Sequence, residues 1–216
     1  GNTDVEALKQ ELATGDVAGA LIPSLNRFGI IEDLSGMADA LHAVKALLMV
    51  YADPSALAVI KTPGAWNADI ACGDAQALGL PLQFGGPYVG YLACRKDLVR
   101  KLPGRIVGAT HDVDGKRAFV LTLQAREQHI RREKANSNIC SNQSLMALYI
   151  TIYLSLMGPE GMRQVNELAY GGAHYLHDEL IATGLFEDVF DRPFLKEFVV
   201  KSKIPADQLQ LSLIHI

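Results

Sequence analysis

The chain has few of the features that mark a specialised class of protein. Only three of its 216 residues are cysteines, widely spaced, so neither a disulfide framework nor a cysteine metal site is indicated. The 20 Lys and Arg do not outnumber the 24 Asp and Glu, and a net charge of −4 argues against a nucleic-acid or acidic-membrane partner. No apolar run reaches the roughly 18 residues of a membrane span, and no secretory signal is visible. Reduced thiols favour a cytoplasmic protein.

Common catalytic and nucleotide-binding motifs are also missing. There is no Gly-x-Ser-x-Gly elbow, no phosphate-binding Walker loop and no Gly-x-Gly-x-x-Gly fingerprint. Four histidines show no metal-ligand spacing with carboxylates: His42, His111, His174 and His177. What remains is a composition of 49% hydrophobic and 20% charged residues, which is able to bury a core.

Strand and helix patterns alternate through the first part of the chain. Apolar runs over 17–22, 46–51 and 69–72 are typical of buried parallel strands, and a fourth strand is predicted over 88–94. Between the first two runs lies a helical pattern, for which Asp33 is a candidate N-cap. This order predicts an α/β domain with a mostly parallel sheet covered by helices.

The later part of the chain is mainly helical in pattern. A helix is predicted over 143–157, Gly158-Pro159 should interrupt it, and a second helix should run to Gly184. Gly171-Gly172 inside the second helix predicts a close contact with another helix, because glycine otherwise weakens a helix. A strand pattern at 198–200 would begin a small C-terminal α+β domain.

The expected domain organisation has three parts. Residues 1–134 would form the second half of a large domain, and 135–210 the connecting helices and the start of the small domain. Residues 211–216 are either a native strand or a tail foreign to the protein. The chain opens inside a polar helix-like segment without an initiator Met, and it closes on this tail. We therefore expect it to be truncated at both ends.

Two features near the predicted strands could bind a ligand. Asp53 closes the second strand, where an acid either holds a pyridinium nitrogen or caps the turn before Pro54; capping is the favoured interpretation. The Gly-rich stretch 83–88 either presents backbone N–H groups to an anion or simply makes a turn.

A basic segment and a polar loop precede the helix predicted at residue 143. The basic segment includes Arg131, Arg132 and Lys134, and a salt-bridged helix face is its default interpretation. The loop places short hydrogen-bonding side chains before a helix N-terminus, which suits an anion; an N-cap with spare polar residues is the alternative. These side chains are Ser137, Asn138, Ser141 and Asn142. Cys140 lies among them, either as a reactive thiol or as an inert one.

Four stretches are similar to one known family. Residues 25–33 (LNRFGIIED), 83–88 (QFGGPY), 102–108 (LPGRIVG) and 121–143 resemble the P-protein of the glycine cleavage system, glycine decarboxylase. The similarity runs from about residue 17 to 201 and fits subunit 1 of the two-subunit bacterial form, or the N-terminal half of the single-chain form. It implies the aspartate-aminotransferase-like fold (fold type I) of pyridoxal-phosphate enzymes.

The resemblance also implies a reaction and a division of roles. The family removes the carboxylate of glycine as CO2 and passes the aminomethyl group to the lipoyl arm of the H-protein, with pyridoxal phosphate as cofactor. In this fold the Schiff-base lysine follows a histidine, and matching that motif to residues 75–78 puts Gln76 at the lysine position. The chain alone should therefore be inactive, and a partner, subunit 2, should hold the cofactor covalently.

Sites in this fold form where two subunits meet. The resemblance therefore implies that the polar loop approaches the partner's cofactor phosphate through Ser137, Asn138, Cys140, Ser141 and Asn142. Arg131, Arg132 and Lys134 would support that anion or the interface. Two alternatives stay open: a self-sufficient pyridoxal-phosphate aminotransferase or lyase that uses another lysine, and a binding or scaffold protein with no role in chemistry.

Overall fold

The computed structural model describes residues 1–123, 130, 132–135 and 143–214. The chain divides into two compact units, one made of Gly1–Ala93 with Leu145–Ile216 and the other of Cys94–Ser144. This division does not coincide with the boundaries expected at residues 134 and 210, and the assignment of large and small domains stays a prediction.

A four-stranded sheet in the order β1-β2-β3-β4 lies at the centre of the first unit. Its strands are β1 (Gly19–Pro23), β2 (Leu47–Tyr51), β3 (Ile70–Asp74) and β4 (Gly90–Cys94). β1, β2 and β3 are parallel, as apolar runs without alternation predict. All four predicted strands are present, with small shifts at their ends.

Two helices, α1 (Val5–Ala13) and α2 (Met37–Ala43), accompany the parallel strands. Leu12 of α1 and Leu41 of α2 pack with Leu48 and Val50 of β2 in one buried cluster. The prediction that Asp33 caps α2 is wrong. The helix begins after Gly36 (φ 74°), and the Asp33 carboxylate instead accepts hydrogen bonds from the backbone N–H and the hydroxyl of Ser35.

A long helix, α3 (Ser144–Ala182), is interrupted as predicted. Gly158 has a non-helical backbone (φ 59°, ψ −178°), and Pro159 follows it where the helix restarts. The prediction of close packing at Gly171-Gly172 is wrong, because a Cβ at either position would meet no atom of the described residues within 4 Å beyond the backbone of its own helix.

By length and composition alone, α3 is apolar enough to cross a membrane, with a mean hydropathy of 1.2 over its most apolar window. Only 11% of that window is buried. The core helix of a soluble protein can pass the same test. The absence of a membrane partner stays a prediction.

The C-terminal part of the first unit contains a small antiparallel pair and a last helix. β7 (Phe186–Asp188) pairs with β8 (Val200–Ser202), which is the strand predicted near residue 200. A final helix, α4 (Ala206–Ile214), follows. The tail predicted at 211–216 therefore begins within a helix, and its strand interpretation is wrong.

The second unit contains a β-hairpin. β5 (Ile106–His111) pairs antiparallel with β6 (Arg117–Thr122) across a turn. Asp112 closes this turn by accepting hydrogen bonds from the backbone N–H groups of Asp114 and Lys116, each at 2.9 Å. Short 3-10 turns lie at Lys96–Lys101 and Arg132–Lys134.

Candidate active site

The ends of three parallel strands meet at one edge of the sheet. Tyr51 at the end of β2 is in register with Pro23 of β1 and Cys72 of β3. In open parallel sheets, ligands bind outside this carboxyl edge. A cleft of about 220 Å³ lies there, with a polar lining from Asn26, Tyr51, Asp53, Lys196 and Glu197.

Both carboxylate oxygens of Asp53 are engaged. Oδ1 accepts hydrogen bonds from the backbone N–H groups of Ser55 (2.9 Å) and Ala56 (3.4 Å), so the capping interpretation is confirmed. Oδ2 lies 2.6 Å from Nζ of Lys196. These side chains are 22% and 27% exposed, so the two charges are partly removed from water. Sequence reasoning missed Lys196 because 143 residues separate the partners.

The turn after Asp53 is also held by α3. Asn166 is 1% exposed, and its Nδ2 donates hydrogen bonds to the backbone oxygen (2.9 Å) and the hydroxyl (3.0 Å) of Ser55. The same group bonds to the carbonyl of Met162 within its own helix at 2.9 Å. A buried amide with satisfied donors fixes the geometry of the groups it contacts. The turn is thus bound from two distant parts of the chain.

Gln76 stands two residues after β3. Its backbone N–H donates a hydrogen bond to Asp74 Oδ1 at 2.7 Å. Its side-chain Nε2 is buried and has no hydrogen-bond partner among the residues that the structure describes. The lone pair of an amide nitrogen is delocalised into the carbonyl, so this side chain cannot act as the nucleophile of a Schiff base.

The turn that carries Gln76 is packed firmly. Its neighbours Ala75 and Leu78 are buried against Ile150 and Met162 of α3. A Cβ on Gly79 would lie 2.5 Å from the ring of Tyr153, so this close approach requires glycine. The residues on both sides of position 76 are therefore closely packed, although position 76 carries no reactive group.

Tyr91 of β4 packs across β3 onto the end of β2. Its hydroxyl donates a hydrogen bond to the carbonyl of Ala52 at 2.8 Å. A Cβ on Gly73 would lie 2.7 Å from its ring, so the contact needs glycine there. Burial, with the nearby Cys72 thiol and Asp53 carboxylate, raises the pKa of Tyr91 to about 12, so the phenol stays a neutral donor.

Two further predicted features fall on described residues. The stretch 83–88 contains a turn in which Gly86 N–H donates to Gln83 O at 3.1 Å, in line with the turn interpretation. Arg132 is exposed in the turn Arg132–Lys134 of the second unit, which also contains Lys134. Six predicted residues fall outside the described part of the chain: Arg131, Ser137, Asn138, Cys140, Ser141 and Asn142. Their roles stay predictions.

Two histidines contact carboxylates. His42 Nε2 lies 2.7 Å from Asp69 Oδ2. His177 lies 2.6 Å from Asp188 and 3.0 Å from Asp178, and these hydrogen bonds raise the pKa of His177. In the described ranges, no group of three or more His, Cys, Asp and Glu side chains could hold a metal ion.

The sheet, its covering helices and the edge at Asp53 define a protein of the aminotransferase fold. An aspartate aminotransferase from Thermus thermophilus matches with a TM-score of 0.60, over 96% of this chain and 55% of its own. At 17% identity this likeness concerns the fold alone. The fold predicted from the sequence is confirmed.

The chain belongs to the glycine cleavage system P-protein family, which it matches over residues 2–211. A probable glycine dehydrogenase (decarboxylating) subunit 1 from Moorella thermoacetica is 53% identical over 94% of this chain and 46% of its own length. A crystal structure of glycine decarboxylase (P-protein), in inhibitor-bound form, is 44% identical with a TM-score of 0.86, over 93% of this chain and 46% of its own. The chain spans about half the length of the curated relatives it matches.

The carboxyl edge does not fit pyridoxal phosphate, the cofactor of aminotransferases. That cofactor needs a lysine amine and an acid or arginine beside its pyridine nitrogen. The residue that the family resemblance predicts at the lysine position, Gln76, carries an amide, and the acid, Asp53, already binds two backbone N–H groups and Lys196. The cleft of about 220 Å³ is also smaller than the ~300–1,000 Å³ usual for sites of small ligands.

Proposed function

We propose that this chain is subunit 1 of a bacterial, cytoplasmic glycine dehydrogenase (decarboxylating), and that its partner, subunit 2, holds pyridoxal phosphate covalently. The observation that carries the proposal is the amide of Gln76, with its nitrogen buried, at the expected lysine position in a chain of the P-protein family. Without an amine at that place, the covalent step needs a second subunit. The names of the relatives, which designate them subunit 1, support this division.

In this proposal glycine is the substrate of the assembled pair and the lipoylated H-protein is the acceptor. Pyridoxal phosphate, if held by subunit 2, would supply the electron sink that lets the carboxylate of the amino acid leave as CO2. The aminomethyl group then passes to the lipoyl arm. This chain would place its polar loop beside the cofactor phosphate through Ser137, Asn138, Cys140, Ser141 and Asn142. Arg131, Arg132 and Lys134 would balance the charge of the phosphate.

The outer face of the first half of α3 supports a contact between subunits. Five apolar side chains at helical spacing form this apolar stripe: Leu145, Leu148, Tyr149, Ile152 and Leu156. They are 46–81% exposed. Soluble monomers rarely expose large contiguous apolar patches, and such patches commonly mark binding surfaces. We propose that subunit 2 covers the apolar stripe.

Reconstitution tests the proposed function. We expect exchange between glycine and labelled bicarbonate when this chain, subunit 2, cofactor and H-protein are mixed, and none when either subunit is left out. Full exchange by subunit 2 and H-protein alone would show that this chain has no part in the reaction.

A second experiment tests the polar loop. In the reconstituted pair, Asn138→Ala with Ser141→Ala should raise the dissociation constant of the cofactor, because two donors to its phosphate are removed. Asn136→Ala in the same loop is the matched control and should change little. Equal cofactor affinity in both variants would rule out the assigned role of the loop.

A further inference from the structure

We propose that Lys196 takes the place of a cofactor in this chain: its ammonium group, paired with Asp53, closes the carboxyl edge of the sheet to phosphorylated pyridoxal compounds. The inference rests on the proposed function, in which the cofactor belongs to the partner subunit. It goes beyond that function because it attributes the exclusion of the cofactor from this chain to one ion pair, that of Lys196 with Asp53.

The ammonium group of Lys196 can make the same interaction with Asp53 that the pyridinium of a cofactor would make. Both are cations that donate a hydrogen bond to a carboxylate. In Asp53, Oδ1 is used by the backbone of the next turn, so Oδ2 is the oxygen left for a cationic partner. Nζ of Lys196 lies 2.6 Å from that oxygen. A ligand pyridinium would have to displace it.

Lys196 is held in position by its neighbours along the chain. Leu195 is buried, and its N–H donates to Gly29 O at 3.3 Å. Pro193 O accepts a hydrogen bond from Ile31 N–H at 2.9 Å. A Cβ on Gly29 would lie 1.9 Å from Glu197 O, so the two segments approach too closely for any other residue. The competitor for Asp53 is therefore tethered, which gives it a high effective concentration against a free ligand.

Removal of the lysine charge tests the proposal in the purified chain. The probe is pyridoxamine 5′-phosphate, which has no aldehyde and so reports binding without a Schiff base. We expect Lys196→Met to bind it at least tenfold more tightly than the unmodified chain in titration calorimetry. Lys203→Met is the matched control, because Lys203 forms an exposed ion pair with Glu187 (3.1 Å), and it should bind as weakly as the unmodified chain.

A double variant identifies the group that receives the probe. Adding Asp53→Asn to Lys196→Met should abolish the gain, since an amide does not carry the charge that attracts a pyridinium. Equal binding by Lys196→Met and the unmodified chain, or a gain that survives Asp53→Asn, would overturn the proposal. If circular dichroism shows Lys196→Met to be unfolded, Lys196→Gln is used with the same expectations.

The result of the calorimetric titration does not depend on the result of the exchange assay that tests the proposed function. A negative result in calorimetry leaves the requirement for both subunits in the exchange assay untouched. Loss of that requirement would instead contradict the proposed function, whatever the pyridoxamine phosphate titration gives.

Discussion

The two faces of the first half of α3 are built from the same kinds of residue but are covered differently. Ile150 on the inner face is 8% exposed and packs with Ala75 and Leu78, beside Gln76. Ile152 in the apolar stripe is 53% exposed. The inner face thus packs against a turn of this chain, whereas the outer face has the composition of a core but is not covered by any of the described residues. In the proposed function, the inner face stabilises the fold and the outer face contacts subunit 2.

The same substitution on the two faces gives the largest expected contrast. Ile150→Ala should lower the free energy of unfolding of the purified chain by about 2–4 kcal/mol, because it removes buried methyl groups and leaves a cavity. Ile152→Ala should change it by less than about 1 kcal/mol, because the side chain is mostly in water already. Urea unfolding followed by circular dichroism measures both, and equal losses would abolish the contrast.

A charge in the apolar stripe tests what covers it. Ile152→Asp should weaken the binding of subunit 2 by about 2 kcal/mol or more, since a buried interface would have to desolvate a carboxylate. Val113→Asp, at a fully exposed position in the β-hairpin of the second unit, is the control and should leave binding unchanged. Titration of each variant with subunit 2 gives the dissociation constants. Unaltered binding by Ile152→Asp would mean that the apolar stripe is not the contact.

The second half of α3 allows the same comparison between a buried and an exposed position, now with polar residues. Asn166→Leu should cost about 1–2 kcal/mol of unfolding free energy, because the buried acceptors of Ser55 lose their donor. Gln164→Leu, an exposed position on the same helix, should cost less than about 0.5 kcal/mol. Urea unfolding compares the pair, and a harmless Asn166→Leu would show that the turn after Asp53 does not depend on α3.

His177, near the end of α3, should make the unfolding free energy of the chain depend slightly on pH. Hydrogen bonds to Asp188 and Asp178 raise the pKa of His177 above its ordinary value of 6.5. A raised folded-state pKa stabilises the fold fully below the unfolded pKa, and this contribution is lost as pH rises through the folded pKa. Between about pH 6 and pH 9, the unfolding free energy of the unmodified chain should therefore fall relative to that of His177→Gln. Parallel pH profiles for the two proteins would contradict this assignment.

The sequence was informative wherever local pattern decides structure. Uninterrupted apolar runs located β1, β2 and β3, and Gly158-Pro159 located the break in α3. The apolar stripe follows helical spacing in the sequence, but spacing alone could not show which face of α3 is covered, because apolar side chains occur on both. At Asp33 a side-chain capping preference was overruled by Gly36, whose left-handed backbone sets the start of α2.

The polar contacts of the site were beyond sequence reasoning. Asp53 with Lys196 and Ser55 with Asn166 join residues 143 and 111 positions apart, and no local rule links such pairs. Asp53 itself was predictable because it closes an apolar run. The prediction that Gln76 stands at the lysine position came only from the family resemblance, since a glutamine in a turn carries no signal of its own.

The proposed division of roles between two subunits is tested most directly by locating the cofactor in the assembled pair. The pair is loaded with pyridoxal phosphate and reduced with borohydride, and the phosphopyridoxyl group is located by peptide mass spectrometry. We expect it on a lysine of subunit 2 and on no residue of this chain. A stoichiometric phosphopyridoxyl group on any lysine of this chain would contradict the proposal and favour a self-sufficient enzyme.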